Sequence, residues 1–244
     1  MKHYQKIAIL LLIALYTLFT QPVFAADPPL PTPVARAIWI EGGFLKAVMP
    51  NKEERVLQKM SVIYLHDTLV TDKDTHAEIA FSDNTLMTFL PNTTFYIAEY
   101  RFNPNAKKSS VGQYVMDLIT GGFRTITGII AGKNPDGYKI NTPVATIGVR
   151  GTDYMVYVDP KGGLYIGYNN GRPCVRNKKG ELCLNEKTRY AMVPSAEQPP
   201  VPLAELPAIF SEKIEITPYQ LSPFLYPGAT NGGGGSNSFC LVPG

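Results

Sequence analysis

Short stretches rich in β-branched and aromatic residues, separated by Gly, Asn, Asp and Pro, follow one another through most of this 244-residue chain. A surface helix needs an apolar repeat near 3.6 residues, whereas a half-buried strand needs alternation. The chain offers mainly the second. Residues 138–142 and 154–158 alternate clearly, and 164–168 and 189–193 extend the set. Residues 77–81 alternate less strictly. After Ser82-Asp83-Asn84 comes 85–90, so the two stretches read as a hairpin. Pro91-Asn92 marks the next turn, and 93–101 is a further strand. Gly and Pro number 21 each, with no collagen-like period, which fits many turns and few long helices. The expected fold is all-β, a twisted antiparallel sandwich or a solenoid-like coil, with an irregular C-terminal tail.

Three glycine pairs, Gly42-Gly43, Gly121-Gly122 and Gly162-Gly163, each stand just before an apolar stretch. Glycine reaches backbone angles that other residues resist. The chain is expected to turn back at each pair and lay down a new strand. Residues 26–35 are a Pro-rich extended lead-in. From Pro194 onward prolines recur, leaving room for one short helix over 204–213, and 223–244 read as a flexible tail. The folded core is expected at residues 36–193, with 194–244 mostly irregular.

Residues 1–25 have the form of a secretory signal peptide. Lys2 and Lys6 precede an apolar run over 7–19, and Val23-Phe24-Ala25 precedes a cut between Ala25 and Ala26. The competing reading is an uncleaved anchor, but the run is shorter than the ~20 residues a bilayer span needs. No later stretch is apolar enough to cross a membrane. Cleavage removes two of the three net positive charges of the full chain. What remains gives no electrostatic argument for nucleic acid. The mature protein is expected to be soluble in a bacterial periplasm.

An oxidising compartment gives the cysteines meaning. Cys174 and Cys183 flank the polar turn Arg176-Asn177-Lys178-Lys179-Gly180-Glu181. With Lys178-Lys179 as a two-residue turn the cysteines face each other. A bulge at Gly180 shifts the register by one. Either way they are neighbours and a disulfide is expected, with two free thiols as the alternative. Cys240, behind four glycines, is left free or intermolecular.

The chemistry-bearing motifs are few. His66 and His76 cannot build a three-histidine centre, and a solvated turn explains them better than a metal. The sequence has no Gly-x-Ser-x-Gly elbow, phosphate loop or His-Glu-x-x-His. No catalytic set and no cofactor is assigned, so an enzyme, a hydrolase if any, is the least favoured class. Arg150 stands in an apolar strand pattern, where its fork of donors is expected to lock a turn. An anion or partner contact is the alternative. Tyr165, Tyr168 and Tyr190 are the candidate aromatic platform for a glycan.

Three blocks, from Leu65-His66-Asp67 to Thr93, from Asp117 to Gly128 and from Ile140 to Asp153, together resemble the FecR domain family. The first runs from Leu65-His66-Asp67 through Asp83-Asn84-Thr85 to Leu90-Pro91-Asn92-Thr93. The family has Gly-Asp where His66-Asp67 stands and Asp-Gly-Ser where Asp83-Asn84-Thr85 stands, so Asn84 must take a turn conformation easier for Gly. The second runs from Asp117 through Gly121-Gly122-Phe123-Arg124 to Gly128. The third, Ile140-Asn141-Thr142-Pro143 to Ile147-Gly148-Val149-Arg150-Gly151-Thr152-Asp153, is the most specific.

The resemblance implies an all-β domain outside the cytoplasm, with Asp83, Gly122, Arg124, Thr142, Pro143, Gly148, Arg150, Gly151 and Thr152 as structural motif residues. In iron-uptake regulators such a domain relays a signal to a sigma factor. Only six residues precede the apolar run here, so direct sigma-factor control is not the expectation. The expectation is a stand-alone, non-catalytic periplasmic module that contacts an envelope protein in sensing or assembly. The alternative is a carbohydrate or peptidoglycan binder.

Overall fold

The computed structural model describes residues 31–107, 110–205 and 210. The expected signal peptide, Cys240, the 223–244 tail and most of the 204–213 helix lie outside the described residues. From Thr32 on, the described residues belong to one compact unit.

Among the described residues, alternation along the chain produces seventeen strands. The first eight are β1 (Pro33–Glu41), β2 (Leu45–Val48), β3 (Glu54–Leu57), β4 (Val62–Tyr64), β5 (Thr68–Thr71), β6 (His76–Phe81), β7 (Leu86–Phe89) and β8 (Thr94–Phe102). The long β9 (Gly112–Ile126) leads into a short helix, α1 (Ile129–Lys133), and a 3-10 turn at Pro135–Gly137. Then come β10 (Tyr138–Asn141), β11 (Thr146–Gly148), β12 (Asp153–Val158) and β13 (Leu164–Asn170). The hairpin β14 (Cys174–Asn177) and β15 (Gly180–Cys183) precedes β16 (Tyr190–Val193) and β17 (Val201–Leu203).

Two strands reach past the expected core. Pro33 opens β1 and Pro202 sits in the terminal strand β17, the positions where a missing N–H is tolerated.

Hydrogen bonding arranges the strands in two layers that share β9. The first layer runs β4-β1-β6-β7-β9-β12-β13-β16-β17. The second runs β3-β2-β5-β8-β9-β10-β11-β14-β15. The chain changes layer after every one or two strands, so a coil-like path yields a sandwich. All pairings are antiparallel except β9–β10, which α1 and the 3-10 turn connect as a crossover.

The glycine pairs divide. Gly42 and Gly162 sit in turns at positive φ, as expected. Gly121-Gly122 instead lies inside β9, where the strand passes from one layer to the other. Its first part pairs with β8 and β10, and its last part with β7 and β12. Gly121 has φ +75°, and a Cβ there would lie 2.5 Å from the Thr93 Cα. The Thr93 hydroxyl donates to the Gly122 carbonyl (3.0 Å) and accepts from the Gly122 N–H (3.0 Å). The glycines let the strand bend without breaking its ladder.

One aromatic core fills the space between the layers. Phe81 packs edge-on to Tyr114 at 4.9 Å, Phe89 meets Phe95 at 5.1 Å, and Tyr114 stacks on Tyr138 at 4.5 Å. The Tyr138 and Tyr154 hydroxyls share a buried hydrogen bond of 3.1 Å, joining the layers at their centre. Burial pushes both phenols' pKa values up, so neither ionises in the folded protein at ordinary pH.

Candidate functional site

The motif residues resolve into braces and exposed positions. Asp83 is fully buried in the β6–β7 turn. Its carboxylate accepts from the Thr85 N–H (3.1 Å), the Thr85 hydroxyl (3.1 Å) and the Ile130 N–H (3.3 Å). Its own N–H donates to the Tyr100 hydroxyl at 2.8 Å. One side chain thus ties the β6–β7 turn to α1, while its N–H reaches β8. Burial pushes the Asp83 pKa up, opposed by these donors. Asn84 takes φ +70°, the conformation expected where the family has glycine, and His66 does the same at the earlier turn.

Arg124 is the arginine that locks the fold. On β9 it meets Asp153 of β12 through two bonds, Nε to Oδ1 at 2.9 Å and Nη2 to Oδ2 at 2.7 Å. Both side chains are about four-fifths shielded, at 22% and 18% exposure. Arg150 does not fill that role. It is exposed in the turn after β11, with no ion pair or hydrogen bond from its side chain among the described residues. The alternation holds only to Val149, after which Gly151 at φ +58° turns the chain outward. Thr142 caps its own turn by donating to the Ala145 carbonyl (2.8 Å), with Pro143 exposed at the tip. Thr152 exchanges bonds with Thr127, whose hydroxyl accepts its N–H at 2.7 Å. Gly148 pairs with Cys174 at the end of β11. A Cβ on Gly122 would lie 2.4 Å from the Val156 carbonyl oxygen, so no larger residue fits there.

Cys174 and Cys183 form a disulfide between directly opposed strand positions, because Lys178-Lys179 makes the two-residue turn without a bulge. Their sulfurs and the Glu181 carboxylate lie within 4.8 Å, but the bonded sulfurs leave no thiolate for a metal. The double variant Cys174→Ser, Cys183→Ser is expected to lose about 2 kcal/mol, low in the usual range because the closed loop is short. A urea midpoint unchanged by reduction would contradict this.

The tyrosine platform does not assemble. Tyr165 and Tyr168 are three apart on β13 and therefore face opposite sides. Tyr168 belongs to the core, while Tyr165 and Tyr190 face outward. Strand period alone contained this information about Tyr165 and Tyr168.

Tyr165 and Tyr190 belong instead to a broad outer face of the first layer. Across seven strands one row reads Trp39, Glu78, Thr88, Arg124, Met155, Gly167, Tyr190. The next row brings Tyr157, Tyr165 and Met192 into line. The single tryptophan of the chain is 38% exposed, and Ile126 on the same face 39%. An antiparallel sheet with one wet side normally alternates apolar-in, polar-out. The second layer departs from that rule at Val56 (63% exposed) and Ile119 (50%), though it also carries the ion pairs Lys46–Glu54 (3.0 Å) and Arg176–Glu181 (2.8 Å) on its outer side. The first layer breaks it with Trp, Tyr and Met.

Glu78 lies within this face yet is only 3% exposed, and its Oε1 has no hydrogen-bond partner. The opposed Thr88 hydroxyl is likewise buried and unpartnered. Burial pushes the Glu78 pKa up to about 7. Sequence reading passed over Trp39 and Glu78. The available signal was a carboxylate inside the apolar run 77–81.

A family model described as FecR protein matches residues 67–166. No curated protein matches the chain significantly. A crystal structure from Parabacteroides distasonis, described provisionally as an anti-sigma factor, is similar at 12% identity and a TM-score of 0.42. The match covers 55% of this chain and 57% of that one.

Proposed function

We propose, for a chain that carries a FecR domain over residues 67–166, that the protein is a non-catalytic interaction module. In this reading it works in the bacterial periplasm and docks an envelope protein during sensing or assembly. The outer face of the first layer carries the reading. Trp39, Tyr157, Tyr165, Tyr190, Met155 and Met192 are residue types enriched at the centres of protein interfaces and unusual on a solvated sheet. Arg124 and Asp153 satisfy each other within that face, so a partner meets an already neutralised pair. The disulfide fits an oxidising compartment. Among the described residues no helix is long and apolar enough to cross a membrane.

The test is affinity capture from periplasmic extract with identification by mass spectrometry. Wild type is expected to retain a defined protein. Trp39→Ala with Tyr165→Arg is expected to lose it, while Lys139→Glu on the other layer keeps it. Identical proteins retained by all three baits would refute docking on this face.

A further inference from the structure

A second surface lies at the end of the sandwich where β13 finishes and β16 begins. It is a groove of about 520 Å³, bordered by Tyr168, Gly171, Arg172, Leu184, Glu186 and Lys187. The disulfide braces it. Arg172 stands two residues before Cys174, and Leu184 directly follows Cys183. The Leu184 N–H donates to the Pro173 carbonyl at 2.9 Å just outside the sulfur bridge. The two walls therefore leave a single covalently closed hairpin base.

The cations on those walls are positioned by local structure. The Asn185 side chain accepts from the Lys187 N–H (2.9 Å) and the Thr188 N–H (3.2 Å), fixing the turn that carries Lys187. Gly171 takes φ +89°, and a Cβ there would lie 2.4 Å from the Gly151 carbonyl oxygen. That close approach sets the turn of Arg172 against the turn of Arg150. The Arg189 guanidinium lies 5.6 Å from the Tyr168 ring centroid. All four cations are exposed. Among the described residues none of them forms an ion pair. Only one acid, Glu186, stands on the rim.

Four unpaired cations around a braced groove make a local positive field on a chain with little net charge. The one aromatic ring in the groove is only 6% exposed and already faces a guanidinium, so a sugar has no free ring to stack on. Guanidinium forks match carboxylates in shape and donor spacing. We infer that this groove binds an acidic segment of a protein partner, with Arg172 and Lys187 contacting its carboxylates and Arg150 and Arg189 extending the field. The inference rests on the reading that the partner is a protein. Arg172, Lys187 and the disulfide all lie outside the stretch matched by the family model.

The probe is a fluorescent decapeptide alternating Glu and Gly, read by anisotropy at ~20 mM salt, where surface charge is least screened. Its Gln-Gly counterpart and polyphosphate are the comparisons. Wild type is expected to bind the Glu peptide and not the Gln peptide. Arg172→Glu with Lys187→Glu is expected to weaken binding at least about tenfold. Lys133→Glu with Lys161→Glu, an equal charge change elsewhere, is expected to leave it unchanged. Opening the disulfide with Cys174→Ser, Cys183→Ser is expected to weaken binding several-fold with every cation still present. Equal losses in both charge-reversed variants would show only net charge and overturn the site. Tighter binding of polyphosphate than of the Glu peptide would overturn the acidic-peptide assignment. If the peptide fails while capture through Trp39 and Tyr165 persists, the groove falls and the docking reading stands.

Discussion

Replacing Asp83 by alanine is expected to cost the protein about 3–5 kcal/mol, because it strips the acceptor from several buried donors at once. The Thr85 and Ile130 N–H groups and the Thr85 hydroxyl all point at this carboxylate, and no water reaches a side chain with 0% exposure. For a folded domain of this size the midpoint temperature should fall by on the order of 10 °C. Asn at the same position keeps one carbonyl acceptor and has no charge to desolvate, so it should recover part of the loss. Thermal unfolding followed by circular dichroism decides the matter. An alanine variant within about 2 °C of wild type would show that the turn and α1 are held by other contacts.

Glu78→Gln should do the opposite, and in a pH-dependent way. The folded carboxyl is raised to about 7 from an ordinary value of 4.5. Below pH 4.5 it is protonated in both the folded and unfolded chain, and its burial carries no ionic penalty. As pH rises from 4.5 to 7 the unfolded chain releases this proton while the folded chain keeps it, so stability falls. Above about 7 the penalty levels off, at most about 3 kcal/mol at 1.36 kcal/mol per pH unit. Arg36 and Glu41 on β1, His76 on β6 and Arg124 beyond Thr88 share this face. They are common to both proteins and largely cancel in the difference between them. Urea titrations of wild type and Glu78→Gln should coincide near pH 4.5 and diverge toward pH 8, with the variant the more stable. Parallel curves across that range would rule out Glu78 as an uncompensated acid. If a partner covers this face, the same carboxylate is placed to receive a donor from it, which would explain why an unpaired acid is kept there.

These two residues also mark how far the sequence could be read. Asp83 was identifiable because it precedes a turn residue in a family-like triplet, and its bonds to Thr85 are local. Its bond to the Ile130 N–H spans 47 positions. Glu78 offered only a weak signal, a carboxylate inside an apolar run, because a Glu in a strand is ordinarily solvated. Only the neighbouring strands β1 and β7, brought in from both sides, bury it. Arg150 and Arg124 illustrate the same limit. Both are arginines within two residues of a glycine, yet one projects from a turn and the other finds Asp153 across a strand pair.

By itself the sequence determined the properties that arise within a few residues. These are the two-residue alternation behind the all-β class, the positive φ at Asn84, and the polar turn that made Cys174 and Cys183 neighbours, whose register the structure then fixed. Tertiary structure decided which side of each strand met water, where β9 changed layers, and which arginine was neutralised. Alternation fixes that neighbours point opposite ways but not which way is inward. That choice belongs to the two layers packing around one shared core, which no single strand can encode.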